Sequence, residues 1–386
     1  MRRRSWKYRL YPSKEQKEKF DLYLYECKNL WNSLLEYVKV HYGETGNFPT
    51  RKQLYLKTKE QSIFSQVAQN VADRLVKSLE ARSTRKKDGV KAGFPRFKSI
   101  ERIKSFTYPQ FGFRLEEKLE LSGIGQITIK KHRDIEGTIK TLTIKKSPSG
   151  KWHAIFSSET EQTPVSKKAG PVAGIDLGID HFAYLSNGVS IENPRHLKQA
   201  EQKLKKTHGC FSTKKKGSKN RNKAKLKVAK AYEKLTNRRK DFLHRISRHL
   251  VDKYALIAIE NLNVAGLARG FLAKSVLDCS WAEFVSMIHY KAEEAGCDFV
   301  LVNPAYTTQM CSSCGLVQKK SLAERWHSCQ CGASMPRDLN AAINILNKAT
   351  AGIAGSQACG EETPTGYKYG RQVSSEKQEA RAFRHG

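Results

Sequence analysis

The chain has 386 residues, of which 39% are hydrophobic and 28% are charged, enough for two or three globular domains with a sizeable core. Its 70 Lys+Arg outweigh 37 Asp+Glu, which gives a formal net charge of +33. This excess indicates a polyanionic partner, and nucleic acid fits it better than an anionic membrane. No apolar run is long enough to span a bilayer, no lipidation motif is present, and the basic N-terminus lacks the apolar segment of a signal peptide. We therefore expect a cytoplasmic protein with no membrane partner.

The chain contains nine cysteines. In a reducing cytoplasm these are thiols or metal ligands rather than disulfides. Four of them cluster between positions 311 and 331. The other five are scattered, and we predict that they are buried as small hydrophobic residues: Cys27, Cys210, Cys279, Cys297 and Cys359.

The first 160 residues predict a strand, two helices and a small antiparallel barrel or sheet. A strand is predicted at 5–11, and Ser13 then opens a helix with Gln16 at the capping-box position. The residues that share one face of this helix are Phe20, Leu24, Cys27, Trp31, Leu34 and Val38. A second helix is predicted at 61–86. Period-two patterns between 103 and 160 predict five short strands, and 161–171 is interpreted as a linker.

A second domain is predicted from Val172 onwards. Its elements, in order, are strands at 172–179, 181–188 and 189–193, a long basic segment broken at 208–220, a strand at 255–262, a helix at 280–296, a strand at 297–304 and a helix from Asp338. This order is that of a ribonuclease H-like α/β domain. The Gly-, Ser- and charge-rich tail beyond 351 is predicted to be disordered.

Three acidic residues fall at notable positions of this domain. Asp176 lies in the first buried strand, Glu260 at the exit of the strand at 255–262, and Asp338 at the start of the last helix. If the two strands are parallel neighbours, the acids converge, and a buried carboxylate needs a compensating cation. Two Mg²⁺ ions would meet that need and would serve phosphodiester hydrolysis. Each acid alone also has a structural interpretation, as a turn residue, a strand end or a charge favoured by the helix dipole. Asp180 is interpreted as a turn residue.

A cysteine-rich segment precedes Asp338. Cys311, Cys314, Cys329 and Cys331 would close a tetrahedral structural zinc site. The second pair is Cys-x-Cys, which is tighter than the commoner Cys-x2-Cys, so His327 is an alternative ligand. Four free thiols are the alternative to any metal. Such a knuckle would brace the acidic residue on the following helix.

The segment 203–240 is overwhelmingly positive, with Glu233 as its only acid. Its basic residues include Lys205, Lys206, Lys214, Lys215, Lys216, Lys219, Arg221, Lys223, Lys225, Lys227, Arg238 and Arg239. Exposed helices usually interleave both signs, so phosphate contact is favoured over a solvated face. The loop at 84–97 mixes basic residues with Phe94 and Phe97, which suits base stacking. A buried aromatic pair under a basic loop is the alternative.

Four segments, in this order and spacing, resemble the transposon-encoded TnpB proteins, which are similar to compact type V CRISPR effectors. They are GIDLGI (174–179), AIENL (258–262), CSSCG (311–315) and RDLNAAINI (337–345), and FPRFK (94–98) also resembles a recurrent segment of the family. The resemblance covers nearly the whole chain and implies an RNA-guided DNA endonuclease. A transposon-derived guide RNA would pair with double-stranded target DNA, next to a short motif that the protein reads.

The resemblance also implies a multidomain α/β and β plan with assigned site residues. The implied domains are a wedge β-barrel at 1–12 and 90–165, a helical recognition insert at 13–89, a RuvC-type nuclease at 172–304 and 333–350, a zinc ribbon at 305–332 and a tail at 351–386. By position, Asp176, Glu260 and Asp338 match the family's catalytic magnesium ligands, and the four clustered cysteines match its zinc ligands. The usual Asp-Arg-Asp is Pro336-Arg337-Asp338 here. The protein would act as a monomer at the prokaryotic nucleoid.

Two other functions remain open at this point. A nuclease-silent, RNA-guided DNA-binding regulator would share the fold, but should have lost one or more of the three acids. A transposase or resolvase on the same fold would act without a guide. A tightly bound RNA of discrete length would distinguish the guided functions from the unguided one.

Overall fold

In this computed structural model the described residues are 2–161, 165–321 and 323–359. The chain folds as two compact units, Met1–Thr163 and Pro164–Gly386. None of the helices in the described residues has the length and apolarity that crossing a bilayer requires.

The described part of the first unit contains a seven-stranded antiparallel sheet. Its strands are β1 (Arg2–Tyr11), β2 (Ser105–Tyr108), β3 (Phe113–Leu115), β4 (Lys118–Leu121), β5 (Gly125–Lys130), β6 (Thr138–Lys146) and β7 (Trp152–Thr160), in the order β2-β6-β7-β1-β5-β4-β3. The two edge strands, β2 and β3, are consecutive in the chain, and the rings of Tyr108 and Phe113 lie 6.5 Å apart. The sheet is therefore a nearly closed barrel. The first of the five strands predicted between 103 and 160, at 105–113, is divided into β2 and β3, and Gly112 adopts a positive φ of 88° between them.

Three α-helices and one 3₁₀ turn, Ile100–Arg102, are inserted between β1 and β2. The α-helices are α1 (Lys14–Thr45), α2 (Arg51–Leu56) and α3 (Ser65–Lys87). Ser13 and Gln16 form the predicted capping box of α1, and all six residues of its predicted apolar face are buried. The helix predicted at 61–86 begins at Ser65, and α2 was not predicted.

The second unit is built on a five-stranded mixed sheet within the described residues. Its strands are β8 (Val172–Leu177), β9 (His181–Leu185), β10 (Ser190–Glu192), β11 (Leu256–Glu260) and β12 (Asp298–Val302), in the order β10-β9-β8-β11-β12. Strand β11 runs parallel to both β8 and β12, which confirms the predicted parallel pair. The separate hairpin β13 (Trp326–Ser328) and β14 (Ser334–Pro336) follows β12.

Helices cover both faces of this sheet. They are α4 (His196–Ser212), α5 (Lys219–Lys253), α6 (Val264–Leu267), α7 (Ala273–Cys279), α8 (Trp281–Ala295) and α9 (Arg337–Cys359). Helices α5 and α8 pack on one face, against Ile175, Ile257 and Ile259. Helix α9 packs on the other, where Ile345 and Ala349 meet Leu256 and Ala258.

Three sequence predictions for this unit need correction or completion. The short helices α6 and α7 were not predicted. Helix α9 continues to Cys359, past the position at which the disordered tail was expected to begin, and 360–386 lie outside the described residues. Among the scattered cysteines, Cys27, Cys279 and Cys297 are buried as predicted, but Cys210 is exposed on α4. The side chain of Cys359 lies outside the described part of the chain.

Candidate functional site

Two of the predicted acids lie on adjacent parallel strands and on the same face of the sheet. Ile259 of β11 is paired with Ile175 of β8, so Glu260 and Asp176 are the next residues along each strand. Side chains alternate along a strand, so Asp176 lies on the face opposite Ile175, and Glu260 lies on the face of Ala258. Ala258 packs against α9. Both carboxylates therefore lie on the face that α9 covers.

Gly174 brings α9 close enough to add the third acid. A Cβ at Gly174 would lie against the backbone oxygen of Ala342 and 2.7 Å from the backbone nitrogen of Leu346. From this contact, Asp176 is two residues further along β8, or about 6.6 Å. Asp338 is one turn back along α9, or about 6 Å. The negative charge of Asp338 raises the pKa of Asp176, so the two carboxylates are near neighbours.

The electrostatics of the three acids are coupled. Burial is the largest cause that raises the pKa of Asp176, the negative charges of Glu260 and Asp338 act in the same direction, and together they bring this pKa to about 8. Burial also raises the pKa of Glu260, whose residue surface is only 7% exposed. Partly buried carboxylates that repel one another in this way need positive charge to remain ionised. Oxygen ligands of this type fit Mg²⁺.

Three residues that the sequence analysis missed contact or neighbour these acids. The hydroxyl of Thr307 donates a hydrogen bond to Glu260 Oε1. The positive charge of Lys348 lowers the pKa of Glu260, and the guanidinium of Arg337 lowers that of Asp176, each opposing the effect of burial. Arg337 and Lys348 are three turns apart in the last helix. Two basic residues in a buried helix were the sequence signal that could have indicated their role. Thr307 gave no signal in the sequence.

The four clustered cysteines are brought together. Their sulfur atoms all lie within 4.8 Å of one another. In the described residues, no other set of three or more His, Cys, Asp or Glu side chains has its ligand atoms grouped in this way. The Cys311 and Cys331 sulfurs are 3.7 Å apart, and those of Cys314 and Cys329 are 3.5 Å apart. These separations exceed a disulfide bond of about 2.05 Å and match thiolates about 2.3 Å from one tetrahedral zinc. The cluster is therefore a fitting zinc site, and the tight Cys-x-Cys pair does not prevent it.

His327 is not a member of the cysteine cluster. Its ring is fully buried, and its Nδ1 atom contacts Lys320 Nζ. Burial raises the pKa of the Cys311 thiol, but hydrogen bonds from the Cys314 and Ser313 backbone and from His327 outweigh burial and lower it to about 5. His327 thus lies beside the cluster but is not among the four side chains whose ligand atoms are grouped.

One polar face of α9 ties the cysteine loop to the acids. Asn340 donates to the carbonyl of Met310 and accepts from the backbone N–H of Ser312. Asn344 donates to the carbonyls of Thr307 and Met310. Arg337 donates to the carbonyl of Ser321, 2.7 Å away. The helix that carries Asp338 therefore also holds the loop that carries Thr307 and Cys311.

The loop after β8 also contacts this segment. The Asp180 carboxylate forms ion pairs with Arg325, at 2.6 Å, and with Arg195, at 3.7 Å. Its carboxylate is half exposed, as the interpretation as a turn residue expects.

The basic segment forms a helical hairpin. The apolar sides of α4 and α5 meet at Leu197, Leu204 and Leu235. The lysines at 214–216 are exposed at the turn between the helices. Arg239 is different, because it is buried and pairs with Asp278 Oδ1 at 2.9 Å. It therefore has a structural role, and the prediction of phosphate contact is wrong for this one residue.

Comparison with known proteins gives matches along most of the chain. Residues 155–270 match the family model OrfB of IS605, described as a probable transposase, and residues 281–345 match the TNB domain of Cas12f1-like proteins. A "Putative RNA-guided DNA endonuclease" of Streptomyces pristinaespiralis is 32% identical, over 93% of this chain and 91% of its own. The "Putative RNA-guided DNA endonuclease InsQ" of Escherichia coli K12 is 31% identical, over 72% of each chain.

A further match concerns the N-terminus. Residues 1–47 match a model described as a helix-turn-helix domain. In the structure, the described part of this range contains β1 and the unbroken 32-residue helix α1 instead. The match therefore marks the family and does not describe the local fold.

Solved structures show a similar fold. The cryo-EM structure of a Cas12f1–sgRNA–target DNA complex superposes with a TM-score of 0.56 over 86% of this chain and 83% of that chain, at 15% identity. The likeness at this identity is one of fold. With two relatives above 30% identity that are matched over most of their length, the chain belongs to the TnpB family, whose motifs it carries.

Proposed function

We propose that this chain is an RNA-guided DNA endonuclease. A guide RNA pairs with target DNA beside a short motif that the protein reads, and the second unit hydrolyses phosphodiester bonds. The observation that carries the proposal is that Asp176 and Glu260 lie on the sheet face that α9 covers, with Asp338 of α9 near enough for its charge to raise the pKa of Asp176. The names of the relatives from Streptomyces pristinaespiralis and Escherichia coli support the same activity.

The three acids would hold Mg²⁺, as the resemblance to the family implies. When bound, Mg²⁺ would activate water and offset the charge of the leaving oxygen. The remaining roles belong to the protein itself. Thr307 orients the Glu260 carboxylate through its hydrogen bond. Arg337 and Lys348 supply positive charge near Asp176 and Glu260, respectively.

The domain plan of the family is part of this proposal. The barrel formed by β1 to β7 would be the wedge domain, and α1 to α3 the recognition insert. The five-stranded sheet would be the core of the RuvC-type nuclease. The four cysteines would hold a structural zinc. The hairpin of β13 and β14 beside them ends at Pro336.

The test begins with the RNA that copurifies with the full chain. We expect an RNA of discrete length, and its sequence supplies the guide for cleavage of a target library with randomised flanks in the presence of Mg²⁺. Asp176→Ala should abolish cleavage and retain RNA and target binding. Asp298→Asn is the matched control, because Asp298 lies at the opposite end of the parallel strands and should leave cleavage intact. Cleavage by the Asp176→Ala variant would show that the acids are wrongly assigned.

One alternative function has a specific observation in its favour. The family model over 155–270 is described as a probable transposase, which would act without a guide. The same purification decides between the two. The absence of a discrete RNA, together with strand transfer or cleavage of transposon ends by the protein alone, would favour the transposase. The nuclease-silent regulator is disfavoured because all three acids are present.

A further inference from the structure

The basic loop that carries FPRFK places its two phenylalanines in different environments. Phe94 is packed with Tyr42 and Phe48, and the guanidinium of the buried Arg82 lies 4.3 Å from its ring centroid. Phe97 is 47% exposed. The alternative interpretation, a buried aromatic pair, is therefore wrong for Phe97, whereas Phe94 is partly buried. Packing in a buried aromatic pair therefore does not explain the exposed ring of Phe97.

The exposure of Phe97 does not result from a loose backbone. On one side of it, Trp31 Nε1 donates to the carbonyl of Arg96 at 3.2 Å. On the other, the Asn32 side chain accepts from the N–H of Lys98 at 2.8 Å and donates to its carbonyl at 3.0 Å. Lys98 Nζ also lies 3.1 Å from the centre of the Trp31 ring. Helix α1 thus holds the backbone on both sides of Phe97 and presents its ring to solvent.

The surroundings of Phe97 suit a polyanion. Residues 82–98 contain seven basic residues and one acid, Asp88. Lys39 of α1 is exposed, and its Nζ lies 4.3 Å from the Phe97 ring centroid. Arg96, next in the chain, is also exposed. Proteins that bind single-stranded nucleic acid combine cationic groups for the phosphates with an aromatic ring for a base, and this arrangement has both.

We propose that Phe97 is a stacking site for one unpaired nucleobase, with Lys39 and Arg96 contacting the flanking phosphates. This inference deepens the proposed function, because it assigns a contact to the nucleic acid on which that function depends. The base can come from the guide RNA or from a single-stranded part of the DNA, and both offer the same ring face and phosphates. The stacking itself requires no sequence preference.

The test uses the full chain, freed of bound nucleic acid by high salt, and two labelled 20-mers, oligouridine and oligodeoxyuridine. Phe97→Ala should weaken binding by about tenfold, which lies in the range for loss of one stacked base. Its dependence on salt should not change, since no charge is removed. Phe97→Trp should restore the affinity. The control is Phe111→Ala, which removes another exposed aromatic ring of the first unit and should leave affinity unchanged.

Photocrosslinking then locates the base and its source. With 5-iodouridine RNA and 5-iododeoxyuridine DNA, we expect the crosslinked peptide to contain Phe97 for at least one of them, and the more efficient probe identifies the source. Equal affinity of the Phe97→Ala and Phe111→Ala variants, or crosslinks that avoid the 94–98 peptide with both probes, would overturn the proposal. Neither readout needs guided cleavage, so failure of the proposed function is distinguishable. If Phe97→Ala does not fold, Phe97→Leu replaces it, because the leucine keeps an apolar side chain without a ring.

Discussion

The closeness of α9 to β8 depends on one residue without a side chain. At Gly174, even a methyl group would lie against the Ala342 carbonyl and 2.7 Å from the Leu346 nitrogen. Both neighbours are backbone atoms, so they cannot move aside as the end of a flexible side chain does. The glycine of GIDLG therefore sets the distance between Asp338 and the acids of the sheet.

Replacement of Gly174 should consequently affect both stability and cleavage. For Gly174→Ala we expect a loss of about 1–3 kcal/mol in the free energy of unfolding, as for other overpacked sites. Cleavage should fall as well, since α9 must move. Gly209→Ala is the control, because Gly209 is in helix α4 with open space around its Cα and alanine favours a helix. Chemical denaturation and a cleavage assay of both variants check this. A Gly174→Ala protein as stable as wild type would contradict the close packing.

Asp176 provides a second prediction at the same scale, with a readout other than activity. Because the fold brings the three carboxylates near one another, they should bind Mg²⁺ only in the folded protein, and Mg²⁺ should raise the melting temperature of the full chain. At a Mg²⁺ concentration about 100 times the dissociation constant, the free energy of unfolding should increase by about 2.7 kcal/mol. Asp176→Asn should remove most of this gain and should be no less stable than wild type without metal. Asp298→Asn should respond to Mg²⁺ as wild type does. If Mg²⁺ stabilised Asp176→Asn as much as wild type, Asp176 would be excluded as a magnesium ligand.

At the scale of elements, α9 has two faces with different tasks. Ile345 and Ala349, four residues apart, pack on the sheet. Asn340 and Asn344 donate to carbonyls of the loop that leads into the cysteines, and Arg337 donates to a carbonyl between the two cysteine pairs. A sequence alone shows that these residues are polar but not which carbonyls they meet. For this reason, the sequence predicted that the cysteine segment braces Asp338, but not which side chains of α9 make the contacts.

The cysteine loop should contain one zinc per chain. The Cys329→Ser variant should lose it, since all four sulfurs surround one point. The Cys210→Ser variant should keep it, because Cys210 is exposed on α4 and belongs to no cluster. Zinc analysis of the purified proteins and titration of the thiols before and after chelation measure this. Equal zinc in the two variants would show that the cysteines are not the ligands.

The elements that were predicted correctly are those with a long periodic pattern or a cap. The apolar face and capping box of α1 are examples, as is the parallel pairing of β8 with β11. The missed elements α2, α6 and α7 are short, with six, four and seven residues. Two turns or fewer leave little periodicity to read, although Thr50 and Gln53 form a capping box that marked α2. The division of β2 from β3 depends on closure of the barrel, which is not a local property of the sequence.

At the scale of the whole molecule, the charge excess is distributed over segments with different roles. Arg239 is buried against Asp278, and Arg82 is buried against aromatic rings. Lys205, Lys240 and Lys274 pair with glutamates on neighbouring turns or helices. The net charge of +33 therefore overstates the number of cations that can meet phosphates. The exposed lysines at 214–216 are the clearest candidates in the second unit.

The salt dependence of RNA binding tests this distinction. Each phosphate that a variant no longer neutralises should reduce the slope of log affinity against log salt by about 0.7–0.9. Replacing Lys214, Lys215 and Lys216 together by Gln should therefore weaken binding and reduce the slope by about 2–3, if all three meet phosphates. The matched control replaces Lys205, Lys240 and Lys274 by Gln, which removes the same formal charge from residues already paired with Glu201 or Glu283. Its slope should change less, because those cations are already partly neutralised. Equal slopes in the two triple variants would mean that RNA responds to the total charge of the protein, and that the turn of the α4–α5 hairpin makes no specific contact.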